Sequence, residues 1–455
     1  MIADRQTLLR QRLASAGLAG AAKTGGIPVR GNPETARLSF PQRHAWRYQQ
    51  AFPDSVSNNL GILITFTGRV DEHAIAEAVD RIVERHEILR TTYHLGADGV
   101  PFQRIRKSIH VPRSFEQASD ARAVELARAA LQIPFDLEAD APLKLLFFRT
   151  RPDEVKFALI VNHIIWDGTT FTLLSKELEE AYEAGATVPS KLAIQYADIA
   201  EWQHDDQVQI RSGDMDYWAQ RLAASQPLKT LLFNASDQTA DPEAAGRVDY
   251  RLTSSPELTR LASKHRVTPF VAFIACWAKV LGRHGAEEVT VGTTVLTRDQ
   301  PETEQLIGNF ANHIVLRLPV GKVSKPATLI SAAATEFEAG FAHRNLPYES
   351  LIEAFGNQNV AEPPALFDSL VVFIPSGTEG PRLPGATTRW ERLHNEAIQF
   401  PLVPLGLEIF VRGRGTETVI DVEATYARNA FDRAAITELL LLLDDTIHNA
   451  FHEAW

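Results

Sequence analysis

Cysteine is almost absent: Cys276 is the only one in 455 residues. A single thiol excludes an internal disulfide and any thiolate cluster for a metal. It sits in the apolar helical pattern Val271–Ala278, where a small buried core residue is the expectation. Long apolar runs are missing as well. None approaches the roughly 20 residues of a membrane span, so no membrane partner is expected. The N-terminus is charged throughout Asp4–Arg12 with no long apolar segment behind it, which argues against a secretory signal and for the cytoplasm. The third absence is a basic excess. Lysine and arginine number 46 against 57 acidic residues, a net charge of −11. That balance disfavours nucleic acid as the main partner.

What remains is an ordinary globular composition, 45% hydrophobic and 23% charged, in a chain too long for one ordinary core. The reading is a leader over 1–36, a mixed α/β lobe over 37–205 and a second lobe over 206–455. The leader holds the amphipathic Leu8–Ala14 and the linker Gly25-Gly26-Ile27-Pro28, and a helix packed on the body is expected. In the first lobe Leu60–Phe66, Pro142–Phe148 and Phe157–Val161 read as strands. Glu72–Val83 has helical spacing, and Leu173–Tyr182 is a second helix that Gly185 stops. Polar residues 206–247 mark the boundary. The second lobe repeats this grammar: a helix from Pro256 through Gly282 broken near Pro269, a strand over Glu288–Thr293, strands around Val315 and Val371, and a closing helix around Ile436–Leu442.

The most informative stretch is Val161–Gly168. A buried strand there delivers His163 to its end, where a scaffold can fix the imidazole and leave it within reach of a substrate. Histidine is the side chain suited to moving protons near neutral pH. His163 and Asp167 are four apart, a spacing that on a helix builds half a metal site. The preceding strand and Gly168 oppose a helix, and no second pair at ligand spacing supports one, so no metal is expected. Taken alone, His163 also fits a core histidine satisfied by hydrogen bonds.

Further segments shift that balance: Ser39–Trp46, Arg85–Tyr93, Tyr196–Trp202, Ile307–Asn312, Asn345–Glu349 and Phe367–Phe373. Each is weak alone; their order and spacing together are specific. The set resembles the condensation domains of nonribosomal peptide synthetases, within the chloramphenicol-acetyltransferase-like superfamily, from Leu38 to the C-terminus. The family motif His-His-x-x-x-Asp-Gly stands here as Asn162-His163-Ile164-Ile165-Trp166-Asp167-Gly168.

The resemblance implies an α/β fold of two such lobes arranged as a V, with His163 at the centre of a tunnel. An acyl or peptidyl carrier protein brings the donor thioester on its phosphopantetheine arm. A small-molecule or carrier-bound acceptor enters from the other face. No permanently bound cofactor is implied. His163 is the implied catalytic residue, and the backbone N–H of Gly168 a donor to the oxyanion. Asp167 reads as structural, with Arg298 as its partner, and Trp166 as core.

Two departures stand out. The first motif histidine is Asn162, which keeps hydrogen bonds but carries no proton. The Phe367–Phe373 strand runs into Ile374-Pro375, where the family commonly has an asparagine facing the site. These leave amide and ester products both open. No adenylation motif follows and no carrier-protein serine motif occurs, so a free-standing enzyme acting in trans is expected. An epimerisation domain, a non-catalytic recruitment module and an acyl-CoA-dependent transferase remain the alternatives.

Overall fold

The structure, a computed structural model, describes residues 26–185, 190–204, 212–222, 245–284, 286–321, 325–355, 366–367, 369–374, 380–393, 404–413 and 417–452. The expected Leu8–Ala14 helix and Pro375 lie outside these.

The chain opens with β1 (Thr35–Arg37) and α1 (Phe40–Ala51). Ser39 and Gln42 form a capping box at the start of α1, each side chain taking the other's backbone N–H, which accounts for their spacing. Then come β2 (Asn59–Gly68), α2 (Glu72–Arg85), β3 (Thr91–Leu95), β4 (Pro101–Ile105), β5 (Arg113–Gln117) and α3 (Asp120–Leu131). Asp71 caps α2 by accepting the His73 N–H at 2.9 Å. β6 (Leu143–Arg151), β7 (Glu154–Asn162), α4 (Thr170–Ala184) and α5 (Tyr196–Gln203) complete the first half. β7 is buried along its whole length, as a central strand covered on both faces must be. Phe115, Phe147 and Phe157 stand in register on β5, β6 and β7 with ring centroids 4.9 and 4.8 Å apart.

The second half runs α6 (Ser212–Leu222), β8 (Ala245–Leu252), α7 (Ser255–His265), α8 (Pro269–Leu281), β9 (Glu288–Leu296), β10 (Ala311–Pro319), α9 (Pro326–Ala342) and α10 (Tyr348–Phe355). β11 (Ser369–Ile374), β12 (Ala386–Leu393), β13 (Leu405–Arg412), β14 (Val419–Ala427) and α11 (Arg433–Phe451) follow. The helix expected from Pro256 is two helices. α7 ends with Arg266 in the left-handed region, and α8 restarts with Thr268 as its cap and Pro269 behind it. α8 is the core helix of this half. Cys276 on it is fully buried, and burial pushes its thiol up to about 12.

One sheet has the strand order β12-β2-β7-β6-β5, and a second has β10-β9-β11-β13-β14-β8. β1, β4 and β3 make a small third sheet. A division at residue 206 is therefore not clean. β12 leaves the second half and pairs antiparallel with β2, and Leu306, Ile307, Phe310, Leu383 and Leu393 belong to the first core. The body also begins earlier than residue 37, because Ile27 is buried in that core and β1 pairs with β4.

Candidate active site

β7 ends at Asn162, whose N–H donates to the Pro142 carbonyl at 3.0 Å. The Asn162 side chain then accepts the Ile164 N–H at 3.0 Å and starts the single turn His163–Ile165. Asparagine here is a turn initiator; its Nδ2 is buried without a protein partner among the described residues. The His163 N–H donates to the Asn58 carbonyl at 2.7 Å, and its own carbonyl takes the Trp166 N–H at 3.1 Å. Ile164 and Ile165, within this turn, are fully buried. The histidine is thus carried by a strand end, and the residue is half-buried.

Burial lowers the His163 pKa from its ordinary value. Its own backbone carbonyl, which accepts from the ring, works in the opposite direction. Arg392 lowers it further, while Asp167 and Glu408 raise it. The net effect is a neutral imidazole at neutral pH, the form that accepts a proton.

Asp167 is 2% exposed and Arg298 6%. Asp167 Oδ1 accepts from the backbone N–H groups of Thr169 and Thr170, at 2.9 and 3.0 Å, and from both their hydroxyls. Oδ2 accepts from Arg298 Nε and Nη2, at 3.1 and 2.8 Å, and from the Phe310 N–H at 3.3 Å. Arg298 also donates to the carbonyls of Thr303 and Leu306, and its guanidinium lies 3.9 Å from the Phe310 ring centroid. Gly168 is exposed, and a side chain added there meets nothing within 4 Å, so the space above it is open.

His163, Asp167 and Gly168 therefore sit on one bend, and Arg298 reaches Asp167 from the second half. No described group of His, Cys, Asp and Glu is placed to hold a metal. The other quoted segments mostly brace the bend. His86 and Arg85 both pair with Glu177, and Tyr93 is buried against Gln42. The Tyr196 hydroxyl lies 2.7 Å from Ser39 Oγ and donates to the Asn309 carbonyl. Asn312 donates to the Arg344 and Leu346 carbonyls and accepts the Tyr348 N–H.

Several residues near His163 were not marked by the sequence pattern. His44 on α1 meets Glu349 on α10 at 3.5 Å. His313 on β10 lies 3.2 Å from Thr294 Oγ1, its register partner. Burial first, and the charges of the other histidines second, push His44 down to about 4 and His313 to about 3. Asn309 Nδ2 donates to the His163 carbonyl at 3.0 Å and lies 3.4 Å from Nδ1. Arg392 on β12 pairs with Glu408 on β13, so a strand of one sheet is tied to a strand of the other. Glu423, in register beside Glu408, is raised to about 7 by burial and then by Glu408. His44 and Asn309 lie inside segments already singled out, and His313 directly follows one. Arg392 had no signal, because nothing local tells that β12 changes sheets.

Residues 32–454 match a family model described as Condensation domain. Among curated relatives, the chain is 30% identical over 334 residues to the phosphinothricin tripeptide synthetase PhsC of Streptomyces viridochromogenes, covering 70% of this chain and 30% of that protein. It spans between 5% and 30% of the length of three such relatives. Among solved structures, the X-domain from teicoplanin biosynthesis superposes with a TM-score of 0.81 at 23% identity, covering 95% of this chain and 100% of that one. The condensation domain from the monacolin K polyketide synthase MokA gives 0.78 at 21% identity, covering 91% and 98%.

Proposed function

The chain belongs to the condensation-domain family, and on that footing we propose that it transfers an acyl or aminoacyl group from a carrier-protein thioester to an amine or hydroxyl. The family's setting is the nonribosomal peptide synthetase type of natural-product assembly, where amide or ester bonds are made. The observation that carries the reading is His163: an imidazole at a strand end, half-buried and held neutral at neutral pH by burial.

In this reading the two halves form a V with His163 at the centre of a tunnel. The phosphopantetheine arm of an acyl or peptidyl carrier protein enters from one face. A small-molecule or carrier-bound acceptor enters from the other. Placing the nucleophile beside the thioester carbonyl supplies much of the rate. As the C–N or C–O bond forms, the His163 imidazole takes the nucleophile's proton. The Gly168 N–H donates to the oxyanion of the tetrahedral intermediate. Collapse breaks the C–S bond, and the carrier thiolate leaves with the proton returned by His163. Asp167, held by Arg298, keeps the bend in place and takes no part as a base.

The test is product formation from a loaded carrier protein with amine and hydroxyl acceptors. His163→Ala is expected to lower turnover about 10²- to 10⁴-fold. Product made as fast as by the wild type overturns the catalytic role. Coenzyme A thioesters offered in competition decide between a carrier and a free acyl-CoA donor. Asn162, a turn initiator where the motif has its first histidine, favours a second reading, a recruitment module. Wild-type protein that binds loaded carrier and makes no product with any acceptor establishes that reading instead.

A further inference from the structure

We propose that the acceptor is a free amino or hydroxy acid whose α-carboxylate docks on Arg392 while its amine or hydroxyl turns to His163. The inference rests on the transferase reading of His163. Arg392 sits on β12 in the cross-strand row Arg392, Ile62, Leu159, four residues before His163 on β7. Two residues back on the same face, Trp390 packs against Phe171 in the first turn of α4, with ring centroids 4.6 Å apart. Arg392 lies one step nearer the strand end that carries the His163 bend, and from there it reaches Glu408 on the second sheet. Of the charges acting on His163 it is the strongest, ahead of Asp167 and Glu408.

The guanidinium is enclosed without being used up. Burial works most strongly against its charge, and the carboxylates of Glu408 and Glu423 together outweigh it. Even so, 23% of its side-chain surface stays open. Among the described residues its one hydrogen bond runs from Nη1 to Glu408 Oε2. Nε and Nη2 keep their donors, and these two form the edge that Arg298 turns to Asp167. That edge matches a carboxylate in two parallel bonds, which strengthen where water is scarce. The nearby negative charges are already answered: Glu408 bonds Arg392, and Glu423, raised to about 7, pairs with Arg247 at 3.2 Å. With Glu423 partly protonated at neutral pH, these four groups carry a fractional surplus of positive charge. The substrates' chemistry decides where a carboxylate comes from. The donor's carboxyl is the thioester under attack, and an aminoacyl acceptor held on a carrier has its α-carboxyl in a thioester as well. A free α-carboxylate therefore belongs to a small-molecule acceptor.

Two measurements on the full chain test this assignment. The first is binding by calorimetry with no donor present, using alanine, leucine and phenylalanine, their 2-hydroxy acid counterparts, and the primary amide of each. At least one acid should bind wild-type protein about tenfold to a hundredfold more tightly than its amide, the range of a charge-assisted pair of bonds. Arg392→Gln should bring acid and amide within about threefold of each other. Arg392→Lys, which keeps the charge and loses the fork, should fall between. Arg392→Gln/Glu408→Gln leaves no carboxylate without its cation and covers the case in which the single variant does not fold. The second is turnover of loaded carrier, where kcat/KM for an acid relative to its amide should fall by the same factor in Arg392→Gln, mainly through KM.

Three results overturn it: no acid binds wild-type protein more tightly than its amide, the preference survives in both Gln variants, or carrier-bound aminoacyl acceptors react and the free acids do not. Acid binding through Arg392 without product from any acceptor ends the transferase reading and upholds the carboxylate site. Product from amides or carrier-bound acceptors alone upholds that reading and ends the assignment of Arg392.

Discussion

Both carboxylate oxygens of Asp167 are occupied within the protein, so its contribution is to shape and not to proton transfer. Its only cationic partner among the described contacts is Arg298, at 2.8 Å, with both side chains almost wholly buried. Removing one member of such a pair leaves an uncompensated charge in a low-dielectric setting. Arg298→Met should therefore destabilise the fold by about 3 to 5 kcal/mol in urea unfolding. Adding Asp167→Asn should recover part of the loss. A loss below about 1 kcal/mol, the range of exposed pairs, defeats the argument. The sequence marks this bend well, because an apolar strand followed by a polar cluster is a local pattern. His44, His313 and Asn309 show no such pattern. Their aim is set by how α1, β10 and the loop before β10 meet, which is a long-range property.

Strand β12 shows the same limit at the scale of an element. Its sequence, Ala386–Leu393, has alternating burial, but only its pairing with β2 reveals that it crosses to the first sheet. The crossing begins where Gly68 meets Gly385 and Ala386. Gly68 has φ of +137°, and a Cβ built on it lies 2.1 Å from the Gly385 carbonyl oxygen. Glycine is needed there both for its dihedral and for the close approach. Gly68→Ala should cost about 2 to 3 kcal/mol in urea unfolding, more than overpacking alone at an exposed turn. Wild-type stability in the variant shows that β12 docks without this contact. The break between α7 and α8, by contrast, was legible in advance, since Pro269 allows a helix to begin but not to continue through it.

At the scale of the molecule, two cores meet across a polar seam. Asp167–Arg298 and Asn309–His163 join the chain's halves, while Arg392–Glu408 ties β12 to the second sheet. The histidines of this seam couple its integrity to pH. His44 and His313 have folded values of about 4 and about 3, below the ordinary 6.5. Between those values the unfolded chain binds more protons than the folded one, so stability rises with pH through the window. Their contribution is complete above pH 6.5 and is lost as pH falls toward 4. Glu423 acts in the opposite sense. Its folded value of about 7 exceeds the ordinary 4.5, so over that span it favours the fold as pH falls. His94 and His204 are also lowered, burial being the main cause, and add to the trend of His44 and His313. The wild-type slope alone therefore mixes opposed groups, and the informative quantity is a difference. The fall in Tm between pH 7.5 and pH 5 should be smaller in His44→Gln/His313→Gln than in the wild type, since glutamine has no proton to take up. Glu423, His94 and His204 are common to both proteins and cancel in that comparison. Equal falls in the two proteins mean that the seam histidines are not held neutral by the fold.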